Sequence, residues 1–326
     1  MKKILEVKDL KIEFKTKKGI LEAVSNVSYT LHENEVLGIV GESGCGKSIS
    51  AMSLMGLLPP SAIVSASDMT FEGQDLRKLS NNQLSKIRGK DISIIFQEPM
   101  TSLNPLMKVG PQIVEMLVLH EGLSKNEAKT KALDMMEKVG LQHVESLFNA
   151  YTHALSGGMI QRVMIAMAMI CNPSILIADE PTTALDVTIQ AQILALMKTL
   201  NKSRRTAIIF ISHDLGVIKE VCDQVLVIYL GYVVEKGHVD QLLKTPSHPY
   251  TIGLLQSIPN PKKRQERLYA IEGKVPNIHE RPKGCPFSTR CYKATEKCQE
   301  ALPDFIEVAD GHFVRCFYPE CEIEKG

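Results

Sequence analysis

A glycine-rich octet, GESGCGKS at positions 41–48, constrains this chain more than any other feature. An apolar run, Val36 to Val40, precedes it and Ile49 to Met55 follow it, so the pattern predicts a buried strand, a tight loop and a helix. In such a loop, glycines let backbone N–H groups turn towards a phosphate, and the helix start adds partial positive charge. We assign Lys47 to the β- and γ-phosphates and Ser48 to Mg²⁺. The residues predicted to bind nucleotide here are Gly41, Ser43, Gly44, Cys45, Gly46, Lys47, Ser48 and Ile49.

Two adjacent carboxylates follow a second apolar run, Ile175 to Ala178. An uninterrupted apolar run of this length is typical of a parallel strand that is covered on both faces. Asp179 would then lie at the carboxyl end of the strand and hold Mg²⁺, directly or through water. Glu180 would polarise the attacking water as general base. An acidic turn after a core strand is the alternative, and the upstream phosphate loop argues against it.

A third motif, LSGG at positions 155–158, opens a further helix that we expect to begin near Met159 and to run through Ile170. Ser156 is placed as an N-cap, and a helix start is an anion site. Because the chain already has one phosphate loop for its own nucleotide, this second anion site is predicted to serve a different nucleotide. The motif, together with the two above, resembles the ATP-binding subunits of ABC transporters. The resemblance implies that Ser156, Gly157 and Gly158 complete the ATP site of a partner subunit, although Met159 replaces the glutamine most common after the second glycine.

The same resemblance implies roles for four further residues and a fold. His213, after the apolar run Ile208 to Ile211, would contact the γ-phosphate, and Gln97 would sense Mg²⁺ and the attacking water. Asp186 would lie in a loop that crosses to the partner, and Phe14 would stack under the adenine. The implied fold class is α/β: a P-loop NTPase of ABC type, with a parallel-sheet core, an antiparallel β subdomain and an inserted helical subdomain.

Pattern changes along the 326 residues divide the chain into an ABC nucleotide-binding domain, residues 1–258, and a Cys-rich extension, residues 259–326. Helical periodicity from about 99 to 161 predicts the inserted helical subdomain. The longest apolar stretch, Val225 to Val234, is too short for a membrane span, and we expect it to form one strand. A net charge of +1 makes no case for nucleic-acid binding. We expect the protein at the cytoplasmic face of the cell membrane.

Five of the eight cysteines lie between positions 285 and 321 of this extension. Disulfides are rare in a reducing compartment, so clustered thiols favour a metal, and four thiolates suit either Zn²⁺ or an iron–sulfur cluster. The spacing differs from zinc ribbons and resembles the C-terminal extension of oligopeptide and dipeptide permease ATP-binding subunits. That resemblance implies a [4Fe–4S] cluster, with Zn²⁺ and free buried thiols as alternatives. The predicted ligands are Cys285, Cys291, Cys298 and Cys316, with Cys321 spare.

The predicted function is that of an ATP-hydrolysing, Mg²⁺-dependent subunit that powers import of dipeptides or oligopeptides. The segment SHPYT at 247–251 and the tail cysteines carry the peptide-branch resemblance. It implies a second ABC ATPase subunit, identical or different, two transmembrane permease subunits and, indirectly, an external peptide-binding protein. A nickel-importer ATPase of the same branch, a non-transport ABC ATPase and a redox-sensing regulator are the alternatives. The sequence leaves open the cargo, the partner ATPase, the number of hydrolysing sites and the role of the cysteines.

Overall fold

A computed structural model of the chain describes residues 2–183, 185–258 and 269–320. The strands are β1 (Lys3–Thr16), β2 (Gly19–His32), β3 (Val36–Val40), β4 (Ala62–Ser65), β5 (Asp68–Phe71), β6 (Gln74–Asp75), β7 (Ile92–Ile95), β8 (Ile175–Asp179), β9 (Ala207–Ser212), β10 (Gln224–Tyr229), β11 (Tyr232–His238), β12 (Ile306–Ala309) and β13 (His312–Val314). The helices are α1 (Lys47–Leu54), α2 (Asn81–Ile87), α3 (Pro99–Ser102), α4 (Val109–Glu121), α5 (Lys125–Lys138), α6 (Val144–Phe148), α7 (Gly157–Met169), α8 (Val187–Arg204), α9 (Leu215–Val221), α10 (Val239–Lys244), α11 (Pro249–Gln256) and α12 (Glu296–Glu300).

The chain forms two compact units. We call the first the helical unit; it comprises Met1–Ile4, His32–Glu35 and Leu76–Ile211. We call the second the P-loop unit; it comprises Leu5–Leu31, Val36–Asp75 and Ser212–Gly326. Each unit draws on segments distant in sequence, so each is held together by long-range contacts.

In the helical unit, β7, β8 and β9 run parallel, with β8 in the middle. Ile177 pairs with Ile94 on one side and with Ile209 on the other. Every residue of β8 is buried, as expected for a parallel strand covered on both faces. Helix α4 packs against α5, α6 and α7. Asp179 is the last residue of β8 and therefore lies at the carboxyl end of the middle strand.

The P-loop unit contains an antiparallel sheet and a mixed sheet. In the first the strand order is β2-β1-β5-β6, with β4 pairing on β1. In the second, β10 pairs in parallel with β3 and antiparallel with β11, and β11 pairs with β13. The β12–β13 hairpin lies in the predicted extension, so this part of the chain adds two strands to the sheet that carries β3.

Two sequence-based expectations about elements were wrong. The stretch Val225 to Val234 forms two antiparallel strands, because the chain turns at Leu230 and Gly231, which both have positive φ. Leu230 is buried and apolar, so hydropathy does not reveal this turn. Helix α7 begins at Gly157, two residues earlier than expected, because Ser156 caps it and the glycines form its first turn. Among the described residues, no helix is long and apolar enough to cross a membrane.

Candidate functional site

The P-loop follows β3, whose five residues are all buried. Gly44 and Gly46 have φ of 77° and 102°, a backbone region that favours glycine. At Gly41 the restriction is spatial: an added Cβ would lie 2.8 Å from Cys45 Sγ and closer still to the carbonyl oxygen of Ile228. Backbone from β10 thus presses against the first turn of the loop, which fixes its path towards α1.

Lys47, the first residue of α1, is buried, and its ammonium group stays within the loop. Its Nζ donates to the carbonyl oxygens of Gly41, at 2.7 Å, and Glu42, at 3.1 Å. Burial raises the pKa of the Cys45 thiol, although the positive charge of Lys47 opposes the shift. Cys45 is therefore a neutral packing residue at ordinary pH. The loop offers one cation and a row of backbone groups to a ligand, as phosphate binding requires.

The helical unit brings together two of the predicted catalytic residues. Asp179 is buried at the end of β8, and Glu180 follows it with a φ of 46°, unusual for a residue with a side chain. The backbone N–H of Glu180 donates to Ile211 O at 3.0 Å, which holds this turn against β9. Gln97 Nε2 donates to Glu180 Oε2 at 3.0 Å, and Thr183 Oγ1 donates to the same oxygen at 3.1 Å.

The LSGG segment and the predicted crossing loop lie side by side in the helical unit. Ser156 accepts a hydrogen bond from Met159 N as the N-cap of α7, and Asp186 accepts one from Ile189 N as the N-cap of α8. An added Cβ on Gly158 would lie 3.0 Å from Ile189, whereas one on Gly157 would meet nothing within 4 Å. Ser156, Gly157 and Asp186 are all exposed. The two helix starts are thus open to a ligand from outside the unit.

His213 and Phe14 both lie in the P-loop unit. His213 directly follows β9 and is exposed, and the next residue, Asp214, caps α9 by accepting from Gly216 N at 2.7 Å. Phe14 is half-buried on β1, opposite Ala62 of β4. The predicted site residues are therefore divided between the units: Gln97, Asp179, Glu180, the LSGG segment and Asp186 lie in one, and the P-loop, His213 and Phe14 in the other. Their individual roles stay predictions.

The four tail cysteines predicted as metal ligands are free thiols, of which Cys285 and Cys298 are buried. Burial, together with a smaller effect of the nearby thiols, raises the pKa of Cys285 to about 12, and burial raises the pKa of Cys316 to about 11. Within residues 2–183, 185–258 and 269–320, no group of three or more His, Cys, Asp or Glu is arranged to hold a metal ion. The set Cys285, Cys291, Cys298 and Cys316 thus gains no support as a ligand set. Cys321 lies outside the described residues.

Sequence reasoning missed two residues that contact the P-loop from the C-terminal part of the chain. Tyr250 of α11 accepts a hydrogen bond from the backbone N–H of Glu42 at 2.9 Å. Arg290 donates to both carboxylate oxygens of Glu42, at 2.6 and 3.2 Å. Tyr250 lies in the SHPYT segment, which served only as evidence of the family resemblance. No sequence pattern distinguishes Arg290 from other arginines. These contacts lie wholly inside the P-loop unit.

Comparison with known proteins gives two family matches. The family model described as ABC transporter matches residues 24–183, and that described as oligopeptide/dipeptide transporter, C-terminal region, matches residues 234–298. The oligopeptide transport ATP-binding protein OppD of Haemophilus influenzae is 49% identical over 97% of this chain and 98% of its own length. The oligopeptide transport ATP-binding protein AppD of Bacillus subtilis is 48% identical over 99% of this chain and 98% of its own length. The dipeptide transport ATP-binding protein DppD of the same species is 45% identical over 99% of this chain and 97% of its own length.

Two solved structures resemble the chain over its larger part. A dimeric bacterial ABC transporter cassette has a TM-score of 0.65 and 27% identity, covering 72% of this chain and 99% of that one. A dimeric ATP-binding cassette in a post-hydrolysis state, bound to ADP and Pi, has a TM-score of 0.64 with the same identity and coverage.

Proposed function

Because the chain belongs to the ABC transporter family, in the group of oligopeptide and dipeptide transport ATP-binding proteins, we propose that it hydrolyses ATP to drive import of short peptides. The fold is that of an ABC ATPase, and the chain is an ATPase. One observation carries the peptide assignment: identity of 45 to 49% extends over nearly the whole chain, including the C-terminal region, to relatives named for oligopeptide or dipeptide transport.

We assign ATP to the P-loop, where the glycine conformations and buried Lys47 suit the phosphates. Lys47 and His213 would neutralise charge on the γ-phosphate, and Glu180 would take a proton from the attacking water. Ser48, Asp179 and Gln97 would hold Mg²⁺, which would neutralise negative charge on the phosphates when bound. These hydroxyl, carboxylate and amide oxygens are the donors that Mg²⁺ prefers. Phe14 would lie under the adenine.

The hydrogen bond between Gln97 and Glu180 supports a mechanical role for the loop after β7. Movement of Gln97 changes the position of the carboxylate that we assign as base, because the amide holds Oε2 at 3.0 Å. A partner that pushes on this exposed loop would therefore alter the hydrolysis rate. We place two transmembrane permease subunits on this loop, at the cytoplasmic face of the membrane.

A second ABC ATPase subunit completes the proposed assembly. The exposed starts of α7 and α8 would face the ATP held by the partner's P-loop, so that Ser156, Gly157, Gly158 and Asp186 act across the dimer. Closure around two ATP molecules and reopening after hydrolysis would give the transport stroke. An external peptide-binding protein would deliver cargo to the permease subunits. A [4Fe–4S] cluster or Zn²⁺ at the tail cysteines is no part of this mechanism.

Replacement of the proposed base tests this assignment. Glu180→Gln keeps the hydrogen-bonding shape but removes the proton acceptor, so we expect ATP binding within about twofold of wild type and hydrolysis slowed by roughly 10²–10⁴-fold. Steady-state ATPase assays and nucleotide titration measure the two effects, and peptide uptake by the assembled transporter should fall in parallel. Glu145→Gln, at an exposed carboxylate on α6 of the same unit, is a matched control. Wild-type hydrolysis in Glu180→Gln would remove Glu180 from the base role; wild-type protein without ATPase activity would overturn the function.

A further inference from the structure

We propose that Arg290, in the C-terminal part of the chain, is a positioning residue for the ATPase reaction, because it holds the P-loop through Glu42. The inference rests on the proposed function and adds a determinant of ATP affinity outside the nucleotide motifs. Residues 42 and 290 are 248 positions apart, yet their side chains form a two-pronged ion pair.

The guanidinium of Arg290 is enclosed on all sides. Its side chain is only 4% exposed, whereas that of Glu42 is 30% exposed. Besides Glu42, it donates to the carbonyl oxygens of Glu272 and Ile271, at 3.1 and 3.3 Å, and to the hydroxyl of Tyr229 at 3.3 Å. Burial lowers its pKa, but hydrogen bonds to Glu42 and Tyr229 outweigh burial and raise the pKa above its ordinary value. Arg290 is therefore a permanent cation with a fixed direction.

The other end of this ion pair belongs to the phosphate-binding loop itself. Glu42 is the second residue of GESGCGKS, and its carbonyl oxygen accepts a hydrogen bond from Lys47 Nζ at 3.1 Å. Its N–H donates to the hydroxyl of Tyr250, a ring that is fully buried. Side chain, N–H and carbonyl of Glu42 are thus all held at once. A shift of Glu42 would move a partner of the lysine that we assign to the phosphates.

A second arginine ties the same C-terminal part to the other side of the loop. Arg281 donates to Glu22 Oε1 at 3.0 Å and to Glu22 O at 2.7 Å, on β2. Ser25 N, on the same strand, donates to Gly231 O at 2.9 Å, and Gly231 N donates to Cys45 O at 2.9 Å. Arg281 and Arg290, nine residues apart in sequence, therefore hold β2 and the P-loop through Glu22 and Glu42. The loop's shape depends on residues that carry no nucleotide motif.

The expected effect falls on nucleotide binding more than on the chemical step. Removing the guanidinium frees the first turn of the loop, so this turn must be ordered again when ATP binds, and the cost of ordering it lowers the affinity. We expect Arg290→Gln to raise the KM and the Kd for ATP by on the order of 10-fold, with kcat at saturating ATP changed less than about threefold. Arg290→Lys keeps the charge without the planar fork, so it should restore part of the affinity.

The experiment measures ATPase kinetics and ATP titration for Arg290→Gln, Arg290→Lys, Glu42→Gln and the double variant Arg290→Gln/Glu42→Gln. Lys293→Gln is the matched control, because Lys293 lies in the same C-terminal part and pairs with Glu320, at 2.7 Å, instead of with a P-loop residue. We expect the double variant to match the worse single variant, since both remove one interaction, and Lys293→Gln to bind ATP as wild type does. Circular dichroism confirms folding for each variant.

Three outcomes would overturn the inference: wild-type KM and Kd in Arg290→Gln, an equal loss in Lys293→Gln, or effects that add fully in the double variant. If Arg290→Gln does not fold, Glu42→Gln decides, because it removes the carboxylate from the exposed end of the pair. A KM raised by about 10-fold would support the inference, and a wild-type KM would overturn it. If wild-type protein shows no ATP hydrolysis, the proposed function fails instead.

Discussion

Substitution of Gly41 by alanine tests whether the packing of the P-loop sets its affinity for ATP. The new Cβ would lie 2.8 Å from Cys45 Sγ and 3.2 Å from the carbonyl carbon of Ile228, and its closest neighbour would be the Ile228 oxygen. Ordinary contacts between such atoms need about 3.5–4.0 Å. The Ile228 carbonyl belongs to β10 and cannot rotate away, so the loop must move by roughly 1 Å. Overpacking of this kind costs about 1–3 kcal/mol. Because ATP needs the undistorted loop, a similar cost should fall on the complex and weaken ATP binding by about 10- to 100-fold.

Gly38→Ala is the control for this substitution. Gly38 lies on β3, three residues before Gly41, but an added Cβ there would meet only side-chain atoms of Cys222 and Ile218, at 3.0 to 3.1 Å. Those side chains can give way by a few tenths of an ångström, so this variant should lose some stability and keep its ATP affinity. Isothermal titration with ATP and urea unfolding separate the two effects. Wild-type affinity in Gly41→Ala, or an equal loss in Gly38→Ala, would refute the packing argument.

Two further predictions concern titratable side chains. Burial lowers the pKa of His248 to about 3, so the folded state keeps it neutral; stability is full above the ordinary value near 6.5 and falls as the pH drops towards 3. The variant His248→Asn can still accept the hydrogen bond from Tyr250 N, but it cannot take up a proton on unfolding. We therefore expect it to lose less stability in acid than wild type, by about 1.4 kcal/mol per pH unit. Urea unfolding between about pH 6.5 and 4.5 measures this difference, and an unchanged pH dependence would contradict the prediction. If the tail cysteines bind iron or zinc as the sequence predicts, Cys291→Ser should lower the metal content of anaerobically purified protein, and equal iron, sulfide and zinc in both proteins would remove Cys291 as a ligand.

Local chemistry made the nucleotide motifs predictable from the sequence. A run such as Ile175 to Asp179 is apolar throughout because both faces of β8 are covered, and the charges that follow mark the strand end. Ser156 was recognisable as an N-cap because serine and glycine in that order suit a helix start. In each case the residues that matter are neighbours in sequence, so a short window contains the whole argument.

The contacts that hold the P-loop could not be predicted for the opposite reason. Glu42 shows no sign in the sequence that its partner is Arg290, since an arginine in a polar stretch is normally solvated. The turn at Leu230 was hidden because a buried leucine with positive φ looks like strand in a hydropathy pattern. The arrangement of the tail cysteines depends on how three separate segments pack, which spacing alone does not give. Long-range pairing and unusual backbone conformations are therefore the features that could not be predicted from the sequence.

The ion pair between Glu42 and Arg290 can form only late in the synthesis of the protein. A ribosome adds about 5–20 residues per second, so the 248 positions between these residues take roughly 12 to 50 s to synthesise. Throughout that interval the nascent loop lacks the guanidinium that orients it. Tyr250 arrives earlier, but Arg290 arrives only when most of the chain is complete. The incomplete chain should therefore bind ATP on the order of 10-fold more weakly than the finished one, as expected for Arg290→Gln, so ATP should reach its full stabilising effect only near the end of synthesis.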